Sequence, residues 1–327
     1  MEYKSSYDRI DGVKDLDYIS QCICRDYNFG TYKNSELIEI GFEDFNYFLY
    51  TEDNKYVVKV FNTERDDSSC ERLIKILTIS YDNGIPAPRI YKCNDNYIYD
   101  IDVNGIKLKL FVMEYVSKDF WSLQRNFTLP ELEEVAKIAS KINSIDYNIK
   151  ESFYDEWTVV NLKTEYDKKK NCLSKEDYPI VTKIVEEFCK LDLTKLKYSY
   201  IHADMIKANL LIDENNKIHL IDFSDFNYMP RVVEINAILL GLCLADDKES
   251  TILRMKHFLK CYDNYNHIDD YELENIPMLL NSLAAMYIIQ SSFIRSNEGD
   301  YTENDYWYTE GKRYLEMNVT LDDIKIR

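Results

Sequence analysis

The chain has 327 residues, 46% of them apolar, with 40 basic and 58 acidic side chains and a formal charge of −18. Length and composition suit a globular chain of one large or two modest domains and exclude a disordered one. The acidic balance argues against a phosphate backbone or an anionic lipid surface as the main partner. The longest purely apolar run, AILLGLCLA from Ala237, is too short to span a bilayer, and MEYKSSYDRI at the start carries no signal peptide. The expectation is a cytoplasmic protein with no nucleic-acid or membrane partner; the sequence leaves the oligomeric state open, with a monomer favoured.

Taken in order, the first third reads as strands: FNYFLYT, KYVVKVF, NYIYDI and KLKLFVMEYV, separated by Asn, Asp and Gly turns. One helical segment, DSSCERLIKILTISYDNG, interrupts them and closes at Gly84 before Pro86 and Pro88. Beyond Phe120 the pattern turns helical. In TLPELEEVAKIASKINSI, Thr128 and Glu131 form a capping box, and Leu132, Val135, Ala139 and Ile142 follow at helical spacing. Further helices are expected near 178–191, 231–245, 250–263, 274–295 and 303–317. A strand-rich start and a helical remainder predict two lobes, 1–115 and 116–327, with ligand binding in the cleft that such lobes form.

Eight cysteines are scattered, and only Cys22 and Cys24 are close; C-x-C alone makes neither a zinc site nor a redox pair. They read as mostly buried thiols. His219, His257 and His267 show no ligand spacing and read as structural or surface residues.

The segment IHADMIKANLLIDENNKIHLIDFSD, Ile201–Asp225, carries the chemistry. With Asn215 and Asn216 as a two-residue turn, Glu214 faces Lys217, Asp213 faces Ile218, and Asn209 lands opposite Asp222. Two oxygen-bearing side chains at the open end of a hairpin suit a magnesium ion bridging phosphates. Asp204, in the loop at that end, is placed to accept a proton from an attacking hydroxyl. His202 braces the loop. An Asx-rich surface turn would explain each residue alone, but less readily all four at this spacing.

H-x-D-x-x-x-x-N followed by Ile221–Phe223 resembles the kinase catalytic loop and its metal-binding Asp. More closely, it resembles the aminoglycoside phosphotransferase/choline kinase/homoserine kinase superfamily, whose usual form is H-G-D-x-x-x-x-N then I-D-F or I-D-W. Ala203 stands where that family has Gly. The resemblance spans about residues 37–240. It implies an α+β, bilobal, protein-kinase-like fold: an antiparallel sheet lobe with one main helix, then a larger helical lobe carrying a catalytic β-hairpin.

It also implies transfer of phosphate from ATP or GTP, with Mg2+, to a hydroxyl acceptor. Lys59 in YVVKVF would hold the α/β phosphates, Glu71 would hold that lysine, and Val57, on the same strand face, would roof the base. Gly41 would turn a nucleotide-covering hairpin, and backbone groups of Glu114 and Val116 in FVMEYV would pair with the base edge. Asn209 and Asp222 would hold the metal, with Asp204 as base. Asn143 stands where many members have His. Asp225, Tyr228, Glu234 and Trp307, within the stretches after I-D-F and around DYTENDYWYTE, are candidate acceptor residues. Carboxylates with aromatic rings suit an ammonium group, as in an aminoglycoside, choline or homoserine.

Two other readings share the fold. A kinase acting on protein Ser or Thr is weakened because no A-P-E segment follows Asp222. A nucleotide-binding pseudokinase scaffold is weakened because the Lys, Asp and Asn are all present.

Overall fold

The computed structural model describes residues 5–39, 43–116, 125–149, 152–298 and 302–327. The chain forms two compact units, residues 1–119 together with His219–Ile221, and the remainder.

In the first unit, α1 (Leu16–Asp26) precedes β1 (Tyr32–Ile38), β2 (Phe45–Thr51) and β3 (Lys55–Val60). Then come α2 (Asp67–Asp82), β4 (Tyr99–Val103) and β5 (Ile106–Glu114). The sheet runs β1-β2-β3-β5-β4, every pair antiparallel. Alternation divides its faces. Tyr56, Val58 and Val60 of β3 join Ile19 and Ile23 of α1 in one buried cluster. Val57 and Lys59 therefore take the opposite face, where their register partners are Phe48 and Asn46 on β2 and Met113 and Phe111 on β5. Leu220, assigned to this unit, donates its amide to the Pro86 carbonyl at 2.9 Å.

α1 is an addition to the expected single-helix lobe. Its signals are in the sequence: Asp15 caps it by accepting from the Tyr18 amide (3.0 Å), and Leu16, Ile19 and Ile23 share one face.

The second unit contains α3 (Leu129–Ser144), α4 (Leu162–Lys169), α5 (Asp177–Phe188), β6 (Tyr198–Ile201), β7 (Leu210–Ile212), the first residue of β8 (Ile218–Leu220), whose other two belong to the first unit, and β9 (Asn227–Pro230). It closes with α6 (Val232–Leu242), α7 (Lys248–Tyr265), α8 (Asp270–Glu298), α9 (Thr302–Met317) and α10 (Leu321–Ile324). The Thr128–Glu131 capping box on α3 is present in both directions (3.4 and 2.7 Å). α8 is long and apolar, but 78% of its most apolar window is buried, against α4, α5, α6 and α9. Its start is bolted to the β9–α6 junction: Arg231 and Glu272, both buried, form two hydrogen bonds of 2.8 and 2.5 Å. The expected α+β architecture, a sheet unit followed by a mainly helical one, is the one this chain adopts.

Candidate active site

β6 delivers the chain into a loop held by hydrogen bonds at His202, Ala203, Asp204 and Asn209. His202 is fully buried; its ring stands edge-on to Phe223 at 4.7 Å, and its Nδ1 accepts the Asp204 amide at 3.3 Å. The His202 amide donates to Glu234 at 2.6 Å and the Ala203 amide to the same oxygen at 3.2 Å. Asn209 then closes the loop: its Nδ2 donates to the Asp204 carbonyl (3.0 Å) and carboxylate (2.6 Å). Only the amide nitrogen can serve those two acceptors, so the Asn209 carbonyl oxygen is the end available for a cation.

Ala203 has φ +70°, which explains why Gly is the usual residue here. The left-handed conformation costs an L-residue roughly 1–2 kcal/mol, against about 0.5–1 for glycine's chain entropy. Ala203→Gly should therefore raise stability by about 0.5–1 kcal/mol, seen as a higher urea midpoint at unchanged slope.

The hairpin register differs from expectation. Asp213 and Lys217 face each other, with the Asp213 amide donating to the Lys217 carbonyl (3.0 Å), around a three-residue loop ending at Asn216, φ +60°. The Asp213 side chain selects this loop by accepting from the Asn215 and Lys217 amides (2.8 and 2.9 Å). Asp222 is thus not the direct cross-strand neighbour of Asn209. It leaves β8 in a left-handed conformation of its own (φ +59°), exposed, with its carboxylate accepting from Ser224 at 2.9 Å. Asn209 and Asp222 both offer hard oxygen donors, which fit Mg2+.

In the first unit, Lys59 is buried and lies 3.4 Å from Asp44. Glu71 is not its partner: it is exposed, and among the described residues it makes no ion pair. Cys70, one position earlier, is the α2 residue turned inward. Val57 is buried on Lys59's face. The Glu114 N–H is spent on the Arg89 carbonyl at 2.8 Å, while Val116 is partly buried beyond the end of β5. Gly41 lies outside the described residues.

The acceptor candidates separate. Glu234 cannot line a pocket: it is fully buried, holding the two loop amides and Asn143 Nδ2 (3.3 Å). Burial pushes its carboxyl up to about 7 against the pull of those donors. Asn143 also donates to the Tyr200 carbonyl (2.9 Å) and accepts from Tyr262. Tyr228 packs with Tyr198 and Tyr200 on the β6–β9 ribbon (5.9 and 5.1 Å), and Asp225 is partly buried.

Trp307 belongs to a different group, centred 4.8 Å from Tyr287 and 5.0 Å from Tyr306, with Trp157 6.4 Å from Tyr287. The Tyr287 phenol is pushed up by burial and by the charges of Asp204 and Glu310, which ties this group to the loop carboxylate. Lys207, inside the loop, is pushed down by burial and feels Glu310 and Arg313 of α9. Tyr287 and Lys207 escaped the sequence reading: one sits in an apolar helix that reads as core, the other as an ordinary loop lysine.

Trp307 and Gly311 share a face of α9, one turn apart. A Cβ on Gly311 would meet the Ala284 carbonyl of α8 at 2.7 Å. Gly311→Ala should cost about 1–3 kcal/mol by forcing α9 away from α8. A thermal melt reads that loss directly, and the aromatic group should loosen with it.

A model of the phosphotransferase enzyme family matches residues 35–262. No curated protein matches in a sequence comparison. Among solved structures, an amicoumacin kinase is 17% identical with TM-score 0.63, the alignment covering 97% of this chain and 96% of that one. A microcompartment-associated aminopropanol kinase is 13% identical with TM-score 0.66, covering 96% and 100%. A choline kinase from Streptococcus pneumoniae is 14% identical with TM-score 0.57, covering 93% and 98%. At such identities the likeness establishes the fold.

Proposed function

This chain belongs to the phosphotransferase enzyme family, and from that premise we propose that it moves the γ-phosphate of ATP or GTP to a hydroxyl of a small molecule bearing an ammonium group. The observation that carries the reading is the Asp204–Asn209 pair, hydrogen-bonded at 2.6 Å in the loop after β6.

Asp204 orients the acceptor hydroxyl and takes its proton. Asn209, through its carbonyl oxygen, and Asp222, through its carboxylate, would hold Mg2+; bound there, the ion neutralises charge on the transferring phosphoryl group. Lys59 holds the α/β phosphates, Val57 covers the base, and the Val116 backbone meets the base edge, since Glu114's N–H is already used. Trp307 and the exposed Tyr306 would meet the acceptor's ammonium by cation–π contact, backed by the buried Tyr287. The solved kinases of similar fold, for aminopropanol and choline, act on amino alcohols, which supports that class.

The test is nucleotide turnover in the presence of pooled aminoglycosides, choline, ethanolamine, homoserine and neutral sugars. Stimulation by an amine-bearing acceptor is expected. Turnover raised only by the sugars would contradict the acceptor class, and turnover indifferent to every small molecule would contradict the reaction.

A further inference from the structure

We propose that Asp44, on the arm of the β1–β2 connection that enters β2, is the acidic positioning residue for Lys59, the role expected of Glu71. The proposal rests on Lys59 being the phosphate-binding lysine of the proposed kinase.

A buried ammonium needs a compensating charge, and Lys59 is only 7% exposed. In the resemblance that charge comes from the helix after β3. Here the helix is rotated so that position 70 faces inward, and position 70 is a cysteine. Burial pushes the Cys70 thiol up to about 11, with Arg65 and Asp44 close enough to pull it in opposite directions. A neutral thiol supplies no counter-charge at neutral pH. Glu71, about a quarter turn further round, is left in solvent.

Asp44 supplies the charge from the other side. It is 1% exposed, with Oδ2 3.4 Å from Lys59 Nζ and 3.3 Å from Arg65. Its place is fixed independently of Lys59. Oδ1 accepts the Asn62 amide at 3.0 Å, and the Asp44 carbonyl accepts from the buried Arg9 guanidinium at 3.1 Å and from Asn46 at 3.3 Å. Among the described residues Oδ2 closes no hydrogen bond, and it holds the ammonium by charge. The carboxylate is thus anchored before any ligand arrives.

This relocates the control of Lys59. A helix-borne glutamate would couple the lysine to movement of α2. Asp44, three residues after Gly41, couples it to the arm of the connection that the resemblance assigns to nucleotide covering. Nucleotide affinity should then depend on Asp44 and be indifferent to Glu71.

The experiment is calorimetric titration of a non-hydrolysable ATP analogue with Mg2+, needing no acceptor. The proteins are wild type, Asp44→Asn, Glu71→Gln, Lys59→Met and the Asp44→Asn/Lys59→Met double variant, each with its melting temperature recorded. Asp44→Asn should weaken binding about tenfold, the loss of one charge-assisted contact. Glu71→Gln should stay within about twofold. In the Lys59→Met background, Asp44→Asn should add less than about twofold, because Asp44 acts through Lys59. A loss that persists undiminished in that background would mark a merely structural role and overturn the proposal. So would wild-type affinity in Asp44→Asn, or a tenfold loss in Glu71→Gln, an exposed change that leaves folding intact. Absence of nucleotide binding by the wild type would instead overturn the kinase reading on which this one rests.

Discussion

Replacing Asp204 by alanine should lower acceptor-dependent turnover at least about a hundredfold, the scale of a positioned general base. Nucleotide affinity should stay within about twofold and stability within about 1 kcal/mol, because the group removed is partly exposed and near the loop surface. The reason is visible in the loop's hydrogen bonds. Asn209 Nδ2 binds both the carboxylate and the carbonyl of Asp204. Truncating the side chain removes the first bond and keeps the second, so the loop retains its closure while losing the proton acceptor. The loss should therefore fall on kcat rather than on the acceptor's KM. Asp204→Asn should lose as much, since an amide keeps the shape but cannot take the proton. Single-turnover kinetics at saturating nucleotide distinguish this from a folding defect.

Replacing Glu234 by alanine should cost about 2–5 kcal/mol, through unsatisfied groups rather than lost packing. His202 and Ala203 both aim amides at one carboxylate oxygen, and Asn143 donates to the other. Each buried donor left without an acceptor costs about 1–3 kcal/mol. The same deletion releases the loop that carries Asp204, so activity should fall together with stability. Glu234→Gln separates the two ideas, since its amide oxygen still accepts.

The pH dependence has a definite sign. Burial raises the folded-state pKa of Glu234 to about 7, above the ordinary glutamate range. Between the unfolded and folded values, the folded protein holds a proton that the unfolded chain has lost. Its contribution to stability is complete below the unfolded pKa and is lost as pH rises toward 7, with a slope of up to about 1.4 kcal/mol per pH unit. Chemical unfolding at a series of pH values should show that slope in wild type and not in Glu234→Gln.

Local patterns were legible where one element carries its own signal. The α3 capping box, the strands FNYFLYT and KYVVKVF and the helices from 231 onward are each set by nearest neighbours and periodicity. The H-x-D-x-x-x-x-N spacing is likewise local, though the bond it makes between Asp204 and Asn209 shows only in the structure. What was not legible depends on rotations and registers that tertiary contacts decide. The position of α2 about its axis puts Cys70, not Glu71, inward. The side chain of Asp213 selects a three-residue loop over the two-residue turn that two asparagines suggest. Glu234 follows a motif closely enough to look like a surface ligand, yet its helix begins beneath the loop and buries it. Tyr287 lies in a run of apolar residues whose periodicity says only that the helix is a core helix.

Phosphoryl transfer to a small-molecule hydroxyl is read from where a labelled phosphate goes. Wild-type protein would be incubated with γ-32P-labelled nucleotide, Mg2+ and the pooled amine-bearing acceptors, and the products separated from protein and nucleotide. Label is expected in a phosphomonoester of one acceptor class and absent with Asp204→Ala. Label that appears only as free phosphate, or only on protein, would contradict that transfer.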